Sequence, residues 1–298
     1  MRKSGILMPI FSLPSRYGIG TFGKEAYKFV DFLKKAGQSY WQILPLNPTS
    51  YGDSPYQSFS SFAGNPYFID LTMLIDEGLL TKQQADSYDF GSENTIAYDK
   101  LYKHRKDCLH HAFLRFEKTP EYLDFCGKNA FWLDDYALFM TIKSAQGDCA
   151  FCEWDTPFKN REKDALESFK KHNAQELDFH RFIQYKFTSQ WFSLKKYANE
   201  RGIKIIGDIP IYVALDSADV WADREQFLLN ADARPTLVAG CPPDAFSEDG
   251  QLWGNPLYDW VKMKGDGYAW WKQRLSFALS LYDVVRIDHF RGFESFYA

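Results

Sequence analysis

The chain has 298 residues, 45% of them hydrophobic, enough for one large domain or two ordinary ones with a sizeable core. A net charge of −4 supplies neither the basic patch that nucleic acid requires nor the polybasic segment of a membrane-surface protein. Five cysteines at irregular spacing argue against a disulfide framework and for a reducing compartment. The apolar run 6–11 is short and broken by Pro9, so it reads as neither secretory signal nor membrane span, and a cytoplasmic location is expected. Cys149 and Cys152 form a C-x-x-C without a second pair at zinc spacing or a preceding strand, so no metal or redox role is expected. Aromatic residues reach 18%, with 26 Phe, 18 Tyr and 9 Trp. Many of these rings belong to a core, while Trp and Tyr outside helical patterns are the usual stacking surfaces for flat, polyhydroxylated ligands.

In chain order, the apolar stretch 5–13 predicts a first strand ending at Pro14. Gly18-Ile19-Gly20 lacks the full dinucleotide fingerprint and reads as a tight turn. Residues 24–36 carry Ala26, Phe29, Val30 and Leu33 at helical spacing, with Gly37 where a C-terminal glycine belongs. Residues 39–46 predict a second strand; strand, helix and strand within about 45 residues imply a parallel sheet. The loop 47–70 is rich in Ser, Gly, Pro and aromatic residues, too long for a plain connection and too aromatic for disorder, which marks it as functional. From 73 to 201 the pattern is helical, clearest over 99–117, 129–146 and 174–200, and its scattered histidines carry no assigned function. Strand character resumes at 203–214, with Asp208 just after its most apolar part. A turn-rich surface segment leads through Cys241-Pro-Pro-Asp-Ala-Phe246 to Gly250-Gln-Leu-Trp-Gly-Asn-Pro256, and a helix over 268–281 delivers the chain to a fourth strand in the stretch 283–293.

That last strand holds the most informative pair. Val284, Val285 and Ile287 read as a buried strand, and Arg286 and Asp288, two positions apart, share one of its faces. A buried strand tolerates two charges only where they meet each other, a ligand or a cavity. A structural ion pair satisfies that condition. So does a catalytic carboxylate held ionised by a neighbouring guanidinium.

Four strings, in this order along the whole chain, resemble the amylomaltase family of 4-α-glucanotransferases, glycoside hydrolase family 77 of the α-amylase clan. They are Ser54-Pro-Tyr-Gln57 with Phe62-Ala-Gly-Asn-Pro66; Gly207-Asp-Ile-Pro-Ile-Tyr-Val213 with Asp216-Ser-Ala-Asp-Val-Trp221; Pro242-Pro-Asp244 with Gly254-Asn-Pro-Leu-Tyr258; and Val285-Arg-Ile-Asp-His-Phe-Arg-Gly-Phe293. The resemblance implies an α/β fold, a (β/α)8 TIM barrel with a large helical insertion between strands 2 and 3, of which this chain holds the first four strands. The barrel would occupy 1–72 and 202–298, and the helical subdomain 73–201.

The resemblance also implies site residues. Asp288 matches the nucleophile and Arg286 the arginine that orients and ionises it. Tyr56, Asp208, Asp244, Phe246, Trp253 and His289 fall in the substrate-binding strings: Tyr56 under the sugar at the cleavage point, Asp208 at the end of the third strand, Trp253 and 244–250 on the acceptor side. Ala245 departs from the aromatic residue often found in that loop. The expected activity is transfer of α-1,4-glucan segments between maltooligosaccharides through a covalent glycosyl-enzyme, without cofactor or metal. Hydrolysis of the same bond and non-catalytic glucan binding are the alternatives. Retaining chemistry needs a second carboxyl group about 5–5.5 Å from the nucleophile. The family's acid/base glutamate follows the fifth strand, and Glu248, Asp249 and Glu294 lack its sequence context. The chain is therefore expected to be inactive without a C-terminal barrel half.

Overall fold

The computed structural model describes residues 2–243, 245 and 247–295. Its first element, β1 (Gly5–Leu7), is followed by α1 (Lys24–Lys35) and β2 (Tyr40–Gln42). In α1 the apolar residues Ala26, Val30 and Leu33 recur every three or four positions and are buried, while Glu25 and Lys34–Lys35 match the polarity of the helix ends. Gly37, at φ 67, ends it: its N–H reaches the Lys34 carbonyl and that of Gln38 reaches Leu33, the paired bonds of a left-handed C-terminal turn.

Seven helices separate β2 from the next strand: α2 (Leu71–Asp76), α3 (Lys82–Asp86), α4 (Tyr98–Phe113), α5 (Pro120–Ala145), α6 (Thr156–Lys159), α7 (Lys163–His172) and α8 (Ala174–Glu200). Then come β3 (Lys204–Pro210), α9 (Ala218–Ala222), β4 (Val238–Cys241), β5 (Gln251–Pro256), α10 (Trp260–Gly265), α11 (Ala269–Leu281) and β6 (Val284–Asp288). The main sheet is parallel throughout, in the order β1-β2-β3-β6. Trp41, Phe182, Trp191 and Tyr282 belong to the core between this sheet and α1, α4 and α8; Phe139, Trp154, Trp221 and Tyr258 anchor a second core under α5, α9 and α11. Seven of the nine tryptophans are buried, all but Trp253 and Trp260, so most of the aromatic surplus is packing material.

Three expectations need correction. The first three strands are shorter than their apolar runs, β2 keeping only Tyr40–Gln42 of the expected 39–46. After Leu7 the chain leaves the ladder at Pro9 for a 3-10 turn over Ile10–Ser12, and β3 stops at Pro210, which has no N–H to donate. The segment read as turn-rich surface contains the antiparallel hairpin β4–β5. Its strands are short, hold Gly240, Gly254 and Pro256, and shift register between Val238 and Gly240, so no alternating pattern survives in the sequence. Finally, β6, expected as a buried strand, pairs only with β3 among the described residues, and its Val284 and Arg286 are exposed.

Candidate active site

Register decides what meets at the ends of β3 and β6. Asp208 is the cross-strand partner of Arg286, and Pro210 that of Asp288. Parallel neighbours lie about 4.8 Å apart, so residues in register on one face are within side-chain reach. Gly207, one position earlier, faces the opposite side, where an added Cβ would lie 2.2 Å from the Tyr282 ring. The missing side chain lets that ring lie directly beneath the strand carrying Asp208.

Arg286 holds both carboxylates. Its Nη1 donates to Oδ1 and Oδ2 of Asp208, both at 2.8 Å, and its Nη2 donates to Oδ1 of Asp288 at 2.5 Å. From the other side the Tyr56 hydroxyl donates to Asp208 Oδ2 at 2.8 Å, across 152 positions of sequence. Asp208 is 1% exposed, whereas Asp288 and Arg286 are open at 39% and 44%. Burial pushes the Asp208 carboxyl up, against the hydrogen bonds from Tyr56 and Arg286 that favour its charge. Burial and Asp208 both raise the Tyr56 phenol, so it stays protonated and remains a donor. Partial desolvation works against the Arg286 charge, but the two carboxylates outweigh it and raise its pKa. The cluster sets two carboxyl groups against one guanidinium, an acidic excess that favours cationic character in whatever reacts there.

Beyond Asp288 the chain turns at once: His289 adopts a left-handed conformation at φ 54, tolerated better by His than by most residues, and opens a 3-10 turn over Phe290–Phe293. The His289 ring meets the indole of Trp253, on β5, edge-on at 4.9 Å. Of the eight residues expected at the site, Tyr56, Asp208, Arg286 and Asp288 form one bonded group and Trp253 and His289 a second contact beside it. Asp244 and Phe246 lie outside the described residues. Ala245, Glu248, Asp249 and Glu294 are exposed.

The 47–70 loop is ordered by partners that sequence reasoning missed. The carboxylate of Asp219, on α9, accepts the Ser61 N–H at 2.7 Å, and the Ala218 N–H donates to the Phe59 carbonyl. Gln184 on α8 brackets Gly64, accepting its N–H and donating to its carbonyl, and Gln190 does the same to Asp70. Asp219 stood in a quoted string. Buried Gln184 and Gln190 share α8 with buried His180 and Lys186, so no break in an apolar pattern marked them.

A family profile described as 4-alpha-glucanotransferase matches residues 8–298. The chain belongs to this family. It is 51% identical over 301 residues, 99% of its length, to a 4-alpha-glucanotransferase of Streptococcus pneumoniae, and 50% identical over 295 residues, 98% of its length, to one of Clostridium butyricum. The amylomaltase of Streptococcus agalactiae, solved in complex with acarbose, superposes with a TM-score of 0.95 at 46% identity over 98% of the chain. The chain spans about 60% of the length of these relatives: 60%, 61% and 60% in turn. Family membership thus accounts for the four strings. No described helix is long and apolar enough to cross a membrane, and no group of three His, Cys, Asp or Glu among the described residues could hold a metal ion.

Proposed function

We propose that this chain supplies the nucleophile side of a 4-α-glucanotransferase active site, built on the first four strands of a (β/α)8 barrel. The observation that carries the reading is Arg286 bridging Asp208 and Asp288 at adjacent C-terminal strand ends, with the Tyr56 hydroxyl closing on Asp208. Catalytic groups of such barrels gather at that end of the strands.

In this reading Asp288 is the nucleophile. Its Oδ1 is held by Arg286, which leaves Oδ2 to attack. The bond from Oδ2 to the anomeric carbon forms as the glycosidic C–O bond breaks, and the departing oxygen takes a proton from a general acid. The 4-hydroxyl of an acceptor sugar then attacks the same carbon, displaces Asp288 and gives its proton to the resulting base. Asp208 is held by two donors and buried, which suits it to fixing the sugar's hydroxyls rather than to proton transfer. Tyr56 lies beneath the reacting sugar, and Trp253 and His289 line the acceptor side. The general acid comes from the strands that complete the barrel. The substrates are maltooligosaccharides and other α-1,4-glucans, with neither metal nor organic cofactor in the chemistry.

The test is Asp288→Asn in the full-length enzyme, assayed by disproportionation of maltotriose and, separately, by binding of acarbose. Turnover is expected to fall by roughly a thousandfold or more, as for loss of a nucleophile, while acarbose affinity stays within a few-fold. Turnover within tenfold of the parent would remove Asp288 from the role. Glucose release without any longer product, in the parent enzyme, would instead establish a hydrolase.

A further inference from the structure

Gln57 follows Tyr56 directly, yet its side chain leaves the loop and reaches the hairpin. Its Nε2 donates to Oδ1 of Asn255 at 3.1 Å and to the Trp253 carbonyl at 3.4 Å, both on β5 and nearly 200 positions away. Asn255 is buried, and its own Nδ2 donates to the Val213 carbonyl at 2.8 Å. Val213 lies five residues past Asp208, whose carboxylate accepts the Tyr56 hydroxyl. The result is a closed ring of covalent and hydrogen bonds: Tyr56, Asp208, the backbone to Val213, Asn255, Gln57, and Tyr56 again. Trp253 hangs from this ring and touches His289, the residue after Asp288.

We propose that Gln57 is a positioning residue that couples the Tyr56 loop to the Trp253 hairpin and thereby sets how the glycosyl-enzyme divides between a sugar acceptor and water. The proposal rests on the glucanotransferase reading given above. Its physical basis is the different demand the two acceptors make. A sugar hydroxyl attacks productively only when its ring is oriented by a fixed surface, whereas water needs no such surface. Trp253 and Tyr56 are tied together by one amide, so the acceptor-side indole is referenced to the ring under the donor sugar. Release of that amide unties the hairpin from the Tyr56 loop while leaving the Asn255–Val213 bond, Asp288, Arg286 and the Tyr56–Asp208 bond in place. Transfer then suffers more than donor cleavage does.

The experiment uses the full-length enzyme with maltotriose as donor and glucose as acceptor, and compares the parent with Gln57→Ala, Gln57→Glu, Asn255→Ala and the double variant Gln57→Ala/Asn255→Ala. Gln57→Ala should raise the KM for acceptor about three- to tenfold, the size of one or two lost neutral hydrogen bonds, and raise the hydrolysis-to-transfer ratio by a similar factor. Gln57→Glu keeps the volume but faces Oδ1 of Asn255 with an acceptor instead of a donor, so it should match Gln57→Ala; a purely space-filling side chain would tolerate the swap. In the double variant the effects should coincide rather than multiply. A Gln57→Glu enzyme with parental partition and acceptor KM overturns the proposal, even if Asn255→Ala fails to fold. Asp288→Asn separates the two levels. If it abolishes transfer and hydrolysis together while Gln57→Ala and Gln57→Glu change nothing, only the coupling fails; if it leaves turnover intact, the underlying reading fails.

Discussion

Four aspartates from the family strings fall into two environments. Asp208 and Asp288 stand at adjacent strand ends on one guanidinium, with Asp288 and Arg286 open to solvent. Asp216 and Asp219 lie a few residues further along and face inward. Asp216 accepts Lys143 Nζ at 2.5 Å and the Phe151 N–H at 3.0 Å, with both charged side chains under a tenth exposed, and so joins α5 and the turn after it to α9. Asp219 pins the loop that carries Tyr56. A family string therefore mixes chemistry with scaffolding. The nature of the partner separates the two: a guanidinium for Asp208 and Asp288, against backbone N–H groups and a buried lysine for Asp216 and Asp219. Exposure sets Asp288 alone apart, since Asp208 is as buried as the scaffold pair.

The sharpest way to break that contrast is to remove the cation from the closed pair. Lys143→Met keeps most of the stem but leaves Asp216 buried without its counter-charge. Breaking one side of a buried pair costs about 3–5 kcal/mol. Urea unfolding of the full-length protein should show a loss of that size, and Lys143→Met/Asp216→Asn should recover part of it. A loss below about 1 kcal/mol would mean that this pair behaves like a surface contact and that the contrast is false.

Asp219 gives the next largest effect, and its sign is opposite to that of most acidic groups. Burial raises its carboxyl from 3.8 to about 6 against the Ser61 hydrogen bond and Arg274. A raised acid pKa means that the folded state binds the proton more tightly than the unfolded one, so this group's contribution to stability grows as pH falls from about 6 towards 4. Two units correspond to about 3 kcal/mol. Asp223, also raised to about 6 by burial, acts in the same direction, while salt-bridged acids such as Asp31 and Glu167 act in the other, so only a difference isolates the residue. The stability of the parent minus that of Asp219→Asn, measured at pH 7, 6, 5 and 4, should rise by about 3 kcal/mol as pH falls. A flat difference would show that Asp219 titrates normally.

These two cases also mark what the sequence made legible. Long α8 was predicted with its observed bounds, because apolar spacing over 27 residues leaves little choice. The Arg286–Asp288 pair was visible because two charges interrupt a β-branched run. Asp208 and Tyr56 needed the family strings: their meeting depends on sheet register and on a loop closing over 152 positions, neither of which any local pattern encodes. The β4–β5 hairpin stayed hidden because glycine, proline and a register shift erase strand periodicity. Gln57, Gln184 and Gln190 stayed hidden for another reason. An amide that brackets a distant backbone reads in sequence as a surface residue until its partner is known.

A smaller effect tests the floor of the open cluster. Gly207→Ala would place a Cβ 2.2 Å from the ring of buried Tyr282, so ring or strand must move. Overpacking of this kind costs about 1–3 kcal/mol. Because Asp208 is the next residue, turnover should fall as well. Tyr282→Leu, which shortens the opposing side chain, should restore activity to Gly207→Ala more than stability. An unchanged melting curve for Gly207→Ala would place slack under the strand and weaken the account of how Asp208 is held.

The smallest expected effect is the most diagnostic, because the open cluster should matter to chemistry and hardly at all to folding. Asp288→Asn removes one end of an ion pair whose members are both more than a third exposed. Pairs of that kind contribute about 0–1 kcal/mol, and Arg286 keeps its two bonds to Asp208 when Asp288 is neutral. The variant should therefore unfold within about 1 kcal/mol of the parent while losing turnover, the reverse of Lys143→Met, which should lose stability while any surviving folded protein retains its chemistry. A stability loss of several kcal/mol on Asp288→Asn would put Asp288 with Asp216, as a strut of the sheet. The fall in activity could then no longer be credited to a lost nucleophile, since an enzyme whose β6 strand had loosened would also turn over slowly.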